Sequence, residues 1–270
     1  EMRRLGISKK PLLAVPNHLT LQWRQEFYRL YPGANILAAT PSDFEKDNRE
    51  RFFSKIVTGN WDAVIVGFSS LKKIPVPLQA ETKIVTEQFD EISEAIEVLK
   101  RDRGDRNIVR DMEKIKANLQ VKLNKLKEKA GTRDKVVDFA DLGVDGLVVD
   151  ESHYFKSLFY TTQMNRVAGM GNAAGSGMAF DLFVKLRFLE ETFGSGVPCV
   201  MASGTPISNS LVEMFSVQRF MQYDQLKSMG LHLFDAWAKT FSDVQNVYEV
   251  SPSGTGYRLS QRFSQFKNLG

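Results

Sequence analysis

An apolar run, "GLVV" at 146–149, ends directly on Asp150 and Glu151, and His153 follows two residues later. Acids are seldom fully buried unless paired. Two of them at the end of an apolar strand therefore point to a use at its rim. Magnesium is a hard cation that takes one or two carboxylates and completes its shell with phosphate oxygens and waters. A second carboxylate beside the first can orient or deprotonate a water. A strand ending Asp-Glu thus suits a magnesium-nucleotide hydrolase. The pattern alone also fits two acids capping a following helix.

Other strand ends carry polar groups of the same kind. "CVMA" leads into "SGTPISNS" (203–210), "LLAV" into "PNHLT", and "VIVG" into "FSSL". Small hydroxyl residues and glycine let backbone or ligand approach closely. The four loops form one rim only if their strands are parallel and adjacent.

The elements meet that condition. Five apolar runs, 11–15, 35–39, 62–68, 145–150 and 197–203, are continuous rather than alternating, the pattern of parallel strands covered on both faces. Helical stretches separate most of them. Leu19, Trp23, Phe27 and Leu30 recur at helical spacing before Pro32-Gly33, as do Phe180, Phe183, Leu186 and Leu189, and Leu211, Phe215 and Phe220. Strand and helix in alternation predict an α/β doubly wound sheet, whose sites form at the carboxyl ends of its strands.

Residues 81–135 interrupt the alternation with charged sequence and no strand pattern. Phe89, Ile92, Ile96 and Leu99 make one apolar stripe, and Ile108, Met112, Ile115, Leu119 and Leu126 a second. Gly104-Asp105 turns between them. The prediction is an inserted helical hairpin over 87–130, one arm acidic from Glu87 to Glu97, the other basic at Lys122, Lys125, Lys127 and Lys129. It is either a solvated spacer or an arm whose basic face touches nucleic acid or a partner. "AGMGNAAGSG" (168–177) reads as a flexible loop, with a phosphate or DNA contact as the other reading. Trp237 and Phe241 fit a packed helix face, and 223–270 reads as a helical and loop connector.

The totals set outer bounds. The 270 residues are 43% apolar and 25% charged, an ordinary globular composition, and the formal charge of +4 permits a nucleic-acid partner. The single cysteine, Cys199, excludes an internal disulfide and makes a reducing cytoplasm the expected compartment. Neither it nor His18 and His232 make a zinc pattern. No apolar run reaches the roughly 20 residues of a membrane span. The opening "EMRRLGISKK" reads like a helix already under way, so a fragment is expected.

The strand-end motifs carry a family resemblance over roughly 1–80 and 140–222. "PLLAVPNHLTLQWRQEF" resembles motif Ia of superfamily 2 helicases in the Swi/Snf-type form, "VIVGFSSL" motif Ib, "LVVDESHYFKS" motif II of the DEAD/DEAH-box (DExH) kind, and "VMASGTPISNSLVEMFSVQRFM" motif III. The resemblance implies a RecA-like lobe, helices on both faces of its sheet, spanning 1–222. It implies ATP and Mg²⁺ as cofactors and DNA, with duplex expected, as partner. Asp150 would hold Mg²⁺ through water, and Glu151 would position or activate the attacking water. His153 and the loop Ser203, Gly204 and Thr205 would couple nucleotide state to DNA grip. Pro16, Asn17, His18, Thr20, Ser69 and Ser70 would lie along the nucleic-acid backbone. It further implies a prokaryotic cytoplasmic setting and a methylase or nuclease module in the same polypeptide or complex. A P-loop, G-x-x-x-x-G-K-[ST], does not occur in the chain. The resemblance puts it ahead of motif Ia, and puts the transition-state arginines in a second lobe after 270. Residues 1–270 by themselves are therefore expected to be inactive. The alternative is a non-hydrolytic nucleic-acid-binding scaffold that keeps the fold.

Overall fold

All five apolar runs form strands of one parallel sheet. These are β1 (Pro11–Val15), β2 (Ile36–Ala38), β3 (Ala63–Gly67), β4 (Gly146–Val149) and β6 (Cys199–Met201), in the spatial order β2-β3-β1-β4-β6. Leu12 pairs with Val64 on one side and Leu147 on the other, and Val149 with Met201. Every residue of β1 and β3 is buried, which requires cover on both faces of the sheet. The architecture is α/β, as the alternation predicts. The computed structural model describes residues 2–131, 137–164, 167, 168, 170, 172–194, 196–208, 210–250 and 256–267.

The chain divides into two compact units, one of 1–83, 127–154 and 181–204, the other of 84–126, 155–180 and 205–270. The first contains the parallel sheet. Helix α1 (Thr20–Leu30) stops at Tyr31, one residue before Pro32, as the restriction on residues preceding proline requires. Helices α2 (Arg49–Thr58) and α3 (Phe68–Leu71) lie on either side of β3 in sequence, and α6 (Gly177–Phe193) precedes β6.

Asp145 clamps the starts of β1 and β4. Its carboxylate accepts hydrogen bonds from Ser8 Oγ at 2.6 Å, Lys9 N at 2.6 Å and Lys10 N at 2.8 Å. Burial alone would raise this carboxyl group, but the bonds from Ser8, Lys9 and Lys10 outweigh it and hold the pKa below its ordinary value. A depressed folded-state pKa stabilises above the unfolded value near about 4, and that stability is lost as pH falls through the folded value. Asp145→Asn is therefore expected to lower the urea midpoint at neutral pH. It should also flatten the acid limb of the stability–pH curve. A variant curve parallel to wild type through the acid limb would remove Asp145 from this role.

The second unit holds the long helices α4 (Leu78–Arg101) and α5 (Arg106–Gly131), both of which begin or end in the first. The sequence places this hairpin at 87–130; α4 starts nine residues sooner, directly after Pro77, whose carbonyl accepts Glu81 N at 3.0 Å. The arms run antiparallel, with Lys100 Nζ 2.7 Å from Glu113 Oε1 and Lys116 over the Phe89 ring at 5.0 Å. Ile92, Ile96 and Leu99 of α4 and Met112, Leu119, Leu123 and Leu126 of α5 are buried. Glu87 Oε1 lies 3.5 Å from Lys227 Nζ on α7 (Leu211–Ser228), so the acidic arm is tied into its unit.

The described part of 223–270 holds the end of α7, one further helix and two strands. Leu211 and Phe215 of α7 pack with Phe234 and Trp237 of α8 (Phe234–Phe241) in one buried cluster. Trp237, 1% exposed, donates Nε1–H to Gln218 Oε1 at 2.6 Å. Beyond α8, β7 (Ser242–Val250) and β8 (Tyr257–Phe266) pair antiparallel, and the two-residue β5 (Val167–Ala168) joins β8 in parallel. Aromatic anchoring of α8 against α7 is what makes this segment part of a unit.

Candidate functional site

The rim forms where the loops after β1, β4 and β6 are tied together by backbone. Asp150 N donates to Ala14 O at 2.9 Å, Ala202 N to Val149 O at 2.8 Å, and Ser152 N to Ala202 O at 2.8 Å. Leu147 and Val149, both fully buried, anchor the strand that presents the two acids.

Each acid has its own partners. Asp150 Oδ2 accepts the indole N–H of Trp23 at 3.0 Å, and Oδ1 accepts the Glu151 amide at 3.0 Å. Glu151 has φ of +46°, a left-handed conformation uncommon outside glycine and costly enough to persist only where the surroundings hold it. His153 Nδ1 lies 3.1 Å from Glu151 Oε2 and 3.2 Å from Ser203 Oγ. One ring nitrogen thus bridges the carboxylate after β4 and the hydroxyl after β6. Tyr154 stacks on the His153 ring at 4.6 Å and packs on Phe68 at 5.6 Å. Gly204 and Thr205 are exposed, and a Cβ added at Gly204 would meet nothing within 4 Å.

The loops after β1 and β3 meet through Asn17. Its Oδ1 accepts Ser69 N at 3.1 Å and Ser69 Oγ at 3.0 Å. Gly67 makes room for it, since a Cβ there would sit 2.5 Å from Asn17 Oδ1. Gly67→Ala is therefore expected to push Asn17 off Ser69 and to cost about 1–3 kcal/mol, the usual range for overpacking. Gly33→Ala, with nothing within 4 Å, is the control. Equal thermal melting of the two variants would contradict the crowding at Gly67. Asn17, His18 and Ser69 are exposed. Pro16, Thr20 and Ser70 are buried, with Thr20 Oγ1 donating to Asn17 O at 3.1 Å. Direct contact with a phosphate is thus open to the first three, and the second three support the loop from behind.

A family model described as a probable helicase domain matches residues 1–269. The chain belongs to that family. No curated protein matches it. Membership gives the helicase domain a nucleic-acid partner and a hydrolase's use of nucleotide and metal. Among the described residues no group of three or more His, Cys, Asp and Glu could hold a metal, and no helix is long and apolar enough to cross a membrane. A lone carboxylate such as Asp150 suits magnesium, which keeps most of its waters and shares phosphate oxygens.

Two residues of the helicase domain's rim escape a reading of the sequence. Trp23 belongs to the apolar stripe of α1, yet a half-buried indole still needs an acceptor for its N–H, and Asp150 supplies one. Tyr154 lies inside the motif but announces no partner. The glycine-rich segment has a packing role where it is described. Gly175 has φ of +68°, and a Cβ there would lie 2.4 Å from Phe159 N. Ser176 N donates to Ser157 O at 2.8 Å and Tyr160 N to Ala173 O at 3.0 Å. Gly169 and Gly171 fall outside the described residues, and so does "SPSGT" at 251–255. A cavity of about 880 Å³ beside the end of α1 is lined by Leu13, Phe27, Tyr31 and Val148, with Arg3, Arg4 and Asp62 among its polar residues.

Proposed function

We propose that this domain is the first RecA-like lobe of a Swi/Snf-like, superfamily 2 ATPase that hydrolyses ATP to move along duplex DNA. The observation that carries the reading is the Glu151–His153–Ser203 bridge at the carboxyl edge of the sheet. Parallel α/β sheets bind ligands at that edge. In this reading Asp150 holds Mg²⁺ through water, its carboxylate oriented by Trp23 and the Glu151 amide. The ion, when bound, neutralises phosphate charge. Glu151 accepts a proton from the attacking water or orients it. The left-handed backbone at Glu151 turns the carboxylate off the line of the strand and toward His153. His153 then reports the state of that carboxylate to the 203–205 loop. Asn17, His18 and Ser69 face the nucleic-acid backbone, where contacts fix register without reading sequence.

The phosphate-binding loop and the transition-state arginines come, in this proposal, from sequence outside 1–270. The experiment is phosphate release by the complete polypeptide with Mg-ATP, alone and with duplex DNA, single-stranded DNA or duplex RNA. Stimulation by duplex DNA is expected. Binding of duplex DNA without any hydrolysis would favour the scaffold reading, and stimulation by RNA alone would overturn the DNA assignment.

A further inference from the structure

Seven of the eight cations of helix α5 fall into two sets, and exposed Lys127 lies outside both. Lys116 and Lys122 are half-buried and spent inside the unit, Lys116 over the Phe89 ring at 5.0 Å and Lys122 over the Phe180 ring at 3.4 Å. Arg106, Arg110, Lys114, Lys125 and Lys129 are exposed. At 3.6 residues per turn they form one stripe, with Asn118 and Val121 in its middle. Met112, Leu119, Leu123 and Leu126 fill the opposite, buried face. The acids of α5, Asp111, Glu113 and Glu128, offset the stripe only in part, and the exposed Glu128 falls within it. Glu113 pairs with Lys100 of α4, and Asp111 lies 3.0 Å from Lys114, the one stripe cation in an ion pair among the described residues. The acidic arm is oriented otherwise. Glu87 pairs with Lys227, and Glu91 is buried enough that desolvation raises its pKa against the pull of Arg219.

The geometry points to a second nucleic-acid contact, the outward stripe of α5 lying against the phosphates of duplex DNA. This rests on DNA being the partner of the proposed motor, and adds a surface outside the strand-end loops. At 1.5 Å per residue the stripe from Arg106 to Lys129 is about 35 Å long. That is one helical turn of B-form duplex, about 34–36 Å. A stiff helix with cations at fixed intervals fits a stiff polyanion. Single strands are gripped by stacking bases on aromatic side chains, and α5 has no Phe, Tyr or Trp. Of the exposed stripe only Val121 is a large apolar residue, which leaves little for a protein partner to bury.

The test replaces Arg106, Arg110, Lys125 and Lys129 by Gln in the complete polypeptide. Gln keeps helix propensity, so circular dichroism should be unchanged. Duplex binding is followed by fluorescence anisotropy across a salt series. Each lost phosphate contact removes about 0.9 from the slope of log K against log salt, so the slope should fall by about 3 to 4. The control set, Asp90→Asn, Glu94→Gln and Glu97→Gln on the acidic arm, should not lower it. Phosphate release without DNA should match wild type in both. An unchanged slope in a variant that binds duplex would overturn the inference and leave the stripe to solvent or an acidic protein, with the motor reading intact. Wild-type polypeptide that binds no duplex at any salt would instead defeat the motor reading, and this inference with it.

Discussion

Glu151→Gln in the proposed ATPase is expected to lower ATP hydrolysis on the order of 10²–10⁴-fold while nucleotide binding persists. The amide preserves the shape of the side chain but has no basicity with which to take a proton from water. It can still occupy the left-handed backbone at this position, where φ is +46°, because that conformation is fixed by the strand and loop bonds around it rather than by the carboxylate. Asp150 keeps both of its partners, Trp23 and the amide of residue 151, so the proposed metal side of the site is untouched. What changes is the pair with His153, at 3.1 Å in the wild-type protein. The measurements are single-turnover phosphate release and binding of a fluorescent nucleotide. Near-normal turnover would strip Glu151 of its role. Loss of binding alongside turnover would mean that the carboxylate organises the pocket rather than the water.

The strands of this domain were legible because burial on both faces leaves a continuous apolar run, and all five runs became strands of one parallel sheet. Their ends were legible because polar residues directly after such runs have nowhere else to lie. Contacts across the sheet were not. Nothing in the sequence joins Trp23 to Asp150, 127 positions away, or His153 to Ser203, 50 positions away, since register between distant strands decides both. The backbone residues Pro16, Thr20 and Ser70 share loops with exposed ones, and only the fold separates those facing out from those packed behind. The strands near the end of the chain were hidden for a different reason. Residues 242–250 and 257–266 are polar and alternate weakly, so they carry no apolar run, and their strand character comes from pairing with each other. The hairpin's two apolar stripes were visible, but the attachment of Glu87 and Glu91 to α7 depends on cations more than a hundred residues further on.

His153→Ala is expected to uncouple the proposed motor rather than silence it. His153 Nδ1 faces Glu151 Oε2 at 3.1 Å and Ser203 Oγ at 3.2 Å, and when it carries the ring proton it can donate fully to only one at a time. In the proposed cycle, Glu151 turning to a water would release the histidine toward Ser203, and departure of the water would draw it back. In the proposed motor the loop after β6 would feel the occupancy of the site through one side chain. Its backbone is already linked to β4 by Ala202 N to Val149 O and Ser152 N to Ala202 O, so a small displacement at Ser203 has a rigid base to act from. Removing the imidazole leaves Glu151 able to work but deprives the loop of that link. A hydrogen bond to a charged group contributes about 1.5–3 kcal/mol, which sets the expected loss of DNA stimulation at roughly 10- to 100-fold. Basal hydrolysis should change much less. Thr205→Ala, on the same loop, should give the milder form of this phenotype. The comparison is phosphate release with and without duplex DNA beside strand translocation, measured by displacement of a third strand. A parallel fall of basal hydrolysis, stimulated hydrolysis and translocation would place His153 in the chemistry with Glu151 and end its role as the link. Retained stimulation would show that the 203–205 loop senses nucleotide by another route.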